Sequence, residues 1–89
     1  MNITLDDIFK GITLYNYTEN HKKFWTIQYN DETRVLTRTW GRIGTTPQVM
    51  EEQYFRTAAL SKADDLILQK YAKGYRLESE MLSFFLNRQ

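Results

Sequence analysis

The chain has 89 residues, no cysteine, one histidine and a formal net charge of +1. A chain of that length buries only about 60–65% of its unfolded surface, which leaves little for an enclosed catalytic pocket. Without cysteine there is neither a disulfide framework nor a thiolate metal site, and the lone His21 cannot hold a metal by itself, so no metal or other cofactor is expected.

No apolar run reaches the roughly 18 residues of a membrane span. The start, Met1 to Asp7, lacks the basic region and apolar stretch of a signal peptide, so a cytoplasmic protein with no membrane partner is the expectation. Charge is unevenly spread. Between residues 21 and 44, Lys22, Lys23, Arg34, Arg38 and Arg42 outweigh Asp31 and Glu32 to give +3, and the remainder is −2. A local excess of this kind matters more to a polyanion than the total does.

In chain order, Leu5 to Lys10 predicts a short helix ended by Gly11. Ile12 to Tyr17 is rich in β-formers and predicts a strand, followed by a polar turn over 18–22. Lys23 to Tyr29 predicts a second strand with Trp25, Ile27 and Tyr29 on one face, where Trp25 is expected to be core. Asn30-Asp31-Glu32 is a short loop of turn formers, so this strand and the next form an antiparallel hairpin.

The next stretch, Thr33 to Gly44, has the strongest period-two pattern in the chain. Arg34, Leu36, Arg38, Trp40 and Arg42 fall on one side; Val35, Thr37, Thr39 and Ile43 fall on the other, with Gly41 between. A strand so divided is expected to lay its β-branched side on the core and show the Arg–Trp row to solvent or a partner. Guanidinium groups pair with phosphate and an indole stacks on a ring or sugar, so that row is the binding candidate. Its structural alternatives are a solvated strand face for the arginines and core packing for Trp40.

Gly44 to Pro47 is a turn, and Gln48 to Phe55 predicts a fourth strand with Val49 and Phe55 facing the core. At Thr57 the period changes to about 3.6. Leu60, Ala63, Ile67 and Tyr71 form one stripe of an amphipathic helix over 58–73, with Thr57 placed to cap it and Gly74 to stop it. Tyr75-Arg76-Leu77 predicts an edge strand. The tail from Glu78 to Gln89 carries Phe84 and Phe85 among other apolar residues, and predicts a short helix that packs on the domain or docks a partner. The whole reads as one α+β domain: a small antiparallel sheet of four to five strands, one long amphipathic helix across a face, and short terminal helices.

No nucleophile with a partner and no acid–base pair is visible, since the carboxylates occur as sequence neighbours that point apart in a strand or turn. Gly41-x-x-Gly44 lacks the strand–turn–helix setting of a phosphate loop. A non-enzymatic protein is therefore expected.

Three blocks in order, Lys23-Phe24-Trp25-x-Ile27-Gln28, Trp40-Gly41-Arg42-Ile43-Gly44-Thr45 and a helix ending Lys73-Gly74-Tyr75, closely resemble the WGR domain. That family takes its name from the Trp-Gly-Arg motif. It occurs beside the catalytic domain of poly(ADP-ribose) polymerases, alone, and in small bacterial proteins. The resemblance spans about residues 12–77, with 1–11 and 78–89 outside it.

It implies a small antiparallel sheet crossed by one helix, and a reader of DNA ends or nicks in which the motif Trp stacks on a terminal sugar while basic residues hold phosphates. Carried over, Trp40 would stack and Arg42 would supply charge, with Gly41 between them. Arg38 matches a basic position two residues before the Trp. Lys22 stands where relatives often have Asn. Arg34 and Lys23 complete the set of possible phosphate partners. With no polymerase domain in the chain, ADP-ribosylation does not carry over. The alternative is a protein-interaction module that uses the same face or the Phe84/Phe85 tail.

Overall fold

The computed structural model describes residues 2–20 and 22–81. Helix α1 spans Leu5–Lys10 and is closed at its start by a reciprocal capping box: the Thr4 hydroxyl accepts from the Asp7 amide, and the Asp7 carboxylate accepts from the Thr4 amide. Strands β1 (Ile12–Asn16), β2 (Lys23–Asn30), β3 (Val35–Arg42) and β4 (Gln48–Gln53) follow. Helix α2 (Arg56–Ala72) and a two-residue strand β5 (Arg76–Leu77) complete the order, and residues 78–81 turn into a further helix. All strand pairs are antiparallel, in the order β4-β3-β2-β1-β5. No helix among the described residues is long and apolar enough to cross a membrane.

The expected α+β architecture is present: a five-stranded sheet with one long helix on one face. The core lies between that face and α2. Leu14, Trp25, Ile27, Tyr29 and Leu36 meet Ala59, Ala63, Leu66 and Ile67, with Ile8 of α1 closing one side. On the opposite face Thr13, Tyr15, Phe24, Thr26, Val35, Thr37 and Thr39 are of intermediate exposure.

The division of β3 is the reverse of the expectation. Its pattern of alternation holds, but Leu36 is only 1% exposed and Trp40 packs against the core, so the Leu36–Arg38–Trp40 side faces α2 and the β-branched side faces away. The hairpin register is the cause. Trp25 pairs with Trp40, Ile27 with Arg38 and Tyr29 with Leu36, and directly opposed residues share a face. The turn between the strands is longer than expected, spanning residues 31–34. The Asn30 side chain accepts from the Glu32 and Thr33 amides at 2.9 and 3.2 Å, and Arg34 takes a left-handed φ of 60° before β3 begins.

Two further expectations change. Val49 and Phe55 are 56% and 69% exposed rather than core, because β4 is an edge strand and Phe55 lies in the link beyond it. Thr57 does not cap α2: the helix starts two residues earlier than expected, Phe55 occupies the cap position and no side chain caps it. Arg56 instead fastens the first turn to the β2–β3 turn through a two-pronged pair with Asp31, at 2.7 and 2.6 Å. At the far end Gly74, with φ of 98°, stops the helix, and the Tyr75 amide returns to the Lys70 carbonyl at 3.0 Å.

Candidate nucleic-acid interface

One end of the sheet collects cations. Lys23, the first residue of β2, lies directly across from Arg42, the last of β3, and the Ile43 amide donates to the Lys22 carbonyl at 2.8 Å to keep the two chains together there. Like charges in directly opposed positions add nothing favourable to a strand pair. One step inward on the same face stands the Trp25–Trp40 pair; Trp25 is 2% exposed and Trp40 half-buried.

Helix α2 adds its C-terminal end to this corner. Lys70 Nζ sits 5.9 Å from the Trp25 ring centre and 5.3 Å from that of Tyr75, both within reach of a cation–π contact. Its pKa is lowered, first by burial and then by the charges of Lys73, Arg38 and Lys23. The order of causes records both a desolvated ammonium and a concentration of positive potential.

Asn16 fixes the helix there. Buried at the end of β1, it donates from Nδ2 to the Lys73 carbonyl at 3.1 Å, while its Oδ1 accepts from the Thr18 amide and hydroxyl at 3.0 and 2.7 Å. Among the described residues the ion pairs are Lys10–Asp6, Arg38–Glu52 and Arg56–Asp31; Lys22, Lys23, Arg42, Lys70 and Lys73 take part in none of them.

The motif turn shapes the outer lip. The Arg42 carbonyl accepts from the Thr45 amide at 3.1 Å and from its hydroxyl at 2.8 Å, with Gly44 at a φ of 91° that disfavours a side chain. Gly41 faces away from Trp40 and lies opposite Phe24. A Cβ added there would stand 3.5 Å from the Pro47 Cα, ordinary contact, so Gly41 shapes the strand rather than opening a cleft.

The expected binding row is thus only partly assembled. Lys22, Lys23, Trp40, Gly41 and Arg42 share one corner. Arg34 does not reach it. It precedes β3 at the opposite end, roughly 26 Å from Arg42 by strand length, with its Cζ 5.1 Å over the Phe55 ring. Arg38 faces α2 in the middle of the strand, its side chain 15% exposed and its Nη2 bonded to Glu52 Oε1. A guanidinium already held by a carboxylate in a low-dielectric setting has little to offer a phosphate. Phe84 and Phe85 lie outside the described residues, as does His21.

Lys70 and Lys73 were absent from the sequence-derived set. Their positions near a helix C-terminus suggest only dipole complementarity, and nothing in their spacing shows that the helix ends over Trp25. The signal that carries them is Asn16, a polar residue closing a strand of β-formers.

A five-stranded antiparallel sheet with one long helix across a face and Trp-Gly-Arg at a strand end defines a class of small α+β modules. The family model of the WGR domain matches residues 11–81, and the chain belongs to that family. No curated protein and no solved structure matches it.

Proposed function

We propose that this WGR module binds nucleic acid, with a preference for DNA ends or nicks, at the corner formed by Lys22, Lys23, Trp40 and Arg42 and completed by Lys70 and Lys73. The observation that carries the reading is the facing pair Lys23 and Arg42, with Lys70 of α2 near enough to Lys23 to feel its charge and no ion-pair partner for any of the three among the described residues. A polyanion would supply the partner that these three cations lack among the described residues. The half-buried indole of Trp40 offers an edge beside them for a terminal sugar or base, the role that the family resemblance implies.

Arg34 and Arg38 are left out of the proposed surface for the reasons of geometry given above. Among the described residues no element protrudes in a form that enters a major groove, so the recognition proposed is of backbone and end rather than sequence. Three or four phosphate contacts give a log–log salt slope of roughly −3. Fluorescence anisotropy with a short labelled duplex tests this. Binding that weakens with that slope, and that closed circular DNA competes for poorly, is expected. No binding at about 50 mM salt would overturn the nucleic-acid reading, and equal competition by closed circles would remove the preference for ends. The near-neutral net charge favours a second reading, an acidic protein segment on the same corner, which an absence of duplex binding would promote.

A further inference from the structure

We infer that the sheet face turned away from α2 is a stacking platform for the unpaired bases of single-stranded DNA, built on Tyr15, Tyr17 and Phe24. The class of partner rests on the nucleic-acid reading above; the site does not, and it lies on the other side of the sheet from Trp40.

Alternation along β1 and β2 puts Leu14 and Trp25 in the core and sends Tyr15 and Phe24 to the uncovered face. The two are directly opposed on neighbouring strands, which sets their Cβ atoms about 4.5–5.5 Å apart. Gly41 stands opposite Phe24 on β3 and brings no side chain to cover it, and Arg76 of β5 stands opposite Tyr15. Tyr17 extends the row. Its ring centre lies 5.8 Å from that of Tyr15 with 21° between the planes, and the residue is 44% exposed. A hollow of about 390 Å³ opens against this pair, lined also by Gly74, Arg76, Glu80 and Met81. Flat rings side by side on an open sheet face are what unpaired bases stack on.

The surroundings of the rings select the occupant. The next row across the sheet is Thr13, Thr26 and Thr39, in direct register, so hydroxyls and not aliphatic groups border the platform. Such a border suits rings with polar edges. Both flanks are cationic. The Ile43–Lys22 hydrogen bond carries the β2–β3 register one residue past Lys23, so alternation gives Lys22 the side of Phe24 while Lys23 keeps that of Trp25. On the other flank the Arg76 guanidinium is steadied by the Tyr71 and Tyr75 carbonyls, at 2.9 and 2.6 Å, and joins no ion pair among the described residues. The Glu80 carboxylate in the hollow already accepts from the Tyr71 hydroxyl and the Leu77 amide, and Glu51 stands two ladder steps away, opposite Thr37. Lys22 belongs to the corner as well, so a strand leaving a duplex end there reaches the platform around the end of the sheet.

Fluorescence anisotropy of the whole chain tests the inference with three labelled ligands: an oligothymidylate of about ten nucleotides, an abasic strand of equal length and a blunt duplex, all near 50 mM salt. The oligothymidylate should bind at least about tenfold more tightly than the abasic strand, since the phosphates are shared and only the bases differ. Tyr15→Leu with Phe24→Leu keeps apolar bulk and removes the flat rings. It should melt like the parent, weaken the oligothymidylate at least about tenfold and leave the blunt duplex within about twofold. Tyr17→Ser alters an exposed residue beyond the end of β1 and should weaken the oligothymidylate about fivefold with no change in melting. Failure of the blunt duplex alone would remove the corner and leave the platform standing. No binding of the oligothymidylate, as a protein segment seated on this face would give, would overturn the platform. So would equal affinity for the abasic strand, or an oligothymidylate affinity unchanged in Tyr15→Leu/Phe24→Leu, or unchanged in Tyr17→Ser should the double variant melt below the parent.

Discussion

The two ends of the β2–β3 hairpin use their arginines and lysines in opposite ways. At the turn end Arg56 grips Asp31 in two bonds, while Arg34, in no ion pair among the described residues, lies over Phe55 as Lys70 lies over Trp25 and Tyr75 at the other end. Arg38, in mid-strand, is held by Glu52. At the open end Lys23 faces Arg42, and Lys70 is pressed in beside them with its pKa depressed by burial and by neighbouring charges. The first arrangement fixes the start of α2 and the turn. The second gathers cations that take part in no ion pair among the described residues. Charge count alone does not separate the two ends; carboxylate pairing, present at Arg56 and absent at Lys23 and Arg42 among the described residues, does.

The largest effect should come from altering one end while sparing the other. Lys23→Gln with Arg42→Gln should lower duplex affinity at least about tenfold near 50 mM salt and flatten the salt slope by nearly 2, one unit per lost phosphate contact. Arg34→Gln with Arg56→Gln should change affinity less than about twofold, because it alters the engaged end. Trp40→Phe is the sharper probe of stacking. Trp40→Ala removes part of the core as well, since the indole packs there.

A second effect is on the joint that delivers the helix. Asn16→Ala leaves the Lys73 carbonyl without its donor and should cost about 1–3 kcal/mol in denaturant unfolding. Weaker duplex binding should accompany it if α2 helps build the corner.

Anions should then distinguish the ends without mutation. Sulfate should raise the melting temperature of the parent by more than chloride at equal ionic strength, and the excess should be smaller in the Lys23→Gln/Arg42→Gln variant, where only the general stabilisation by an excluded salt is left.

The smallest effect is acid sensitivity at the engaged end. The hydrogen bond and charge of Arg56 lower the pKa of Asp31, so its contribution is present above the ordinary carboxylate range and is lost as pH falls through the folded value. The stability difference between parent and Asp31→Asn should shrink over that window, and the cationic end should contribute nothing to it.

Much of the fold was legible because period and punctuation agree: the change near Thr57 from alternation to helical spacing, Gly74 as a stop, and turn formers at each hairpin. The face of β3 was not, and one turn explains why. A three-residue loop at 30–32 would pair Tyr29 with Thr33 and place Val35 and Thr37 beside Ile27 and Trp25. The turn actually spans 31–34, so Tyr29 meets Leu36 and Trp25 meets Trp40. A register that changes parity moves a whole strand from one face to the other. Leu36, an aliphatic residue inside the Arg–Trp row, was the local hint. The contribution of α2 to the corner was less legible still, because it depends on where a helix ends in space and not on any spacing along the chain.

Amide chemical shifts on titration with a short duplex at low salt test the cationic corner most directly. Shifts grouped on Lys22, Lys23, Trp40 to Ile43 and Lys70 to Gly74, with Arg34 and Phe55 unmoved, are expected. Shifts centred on Arg34, Phe55 and Arg56, or a spectrum that the duplex leaves unchanged, would contradict the assignment of that corner as the binding surface.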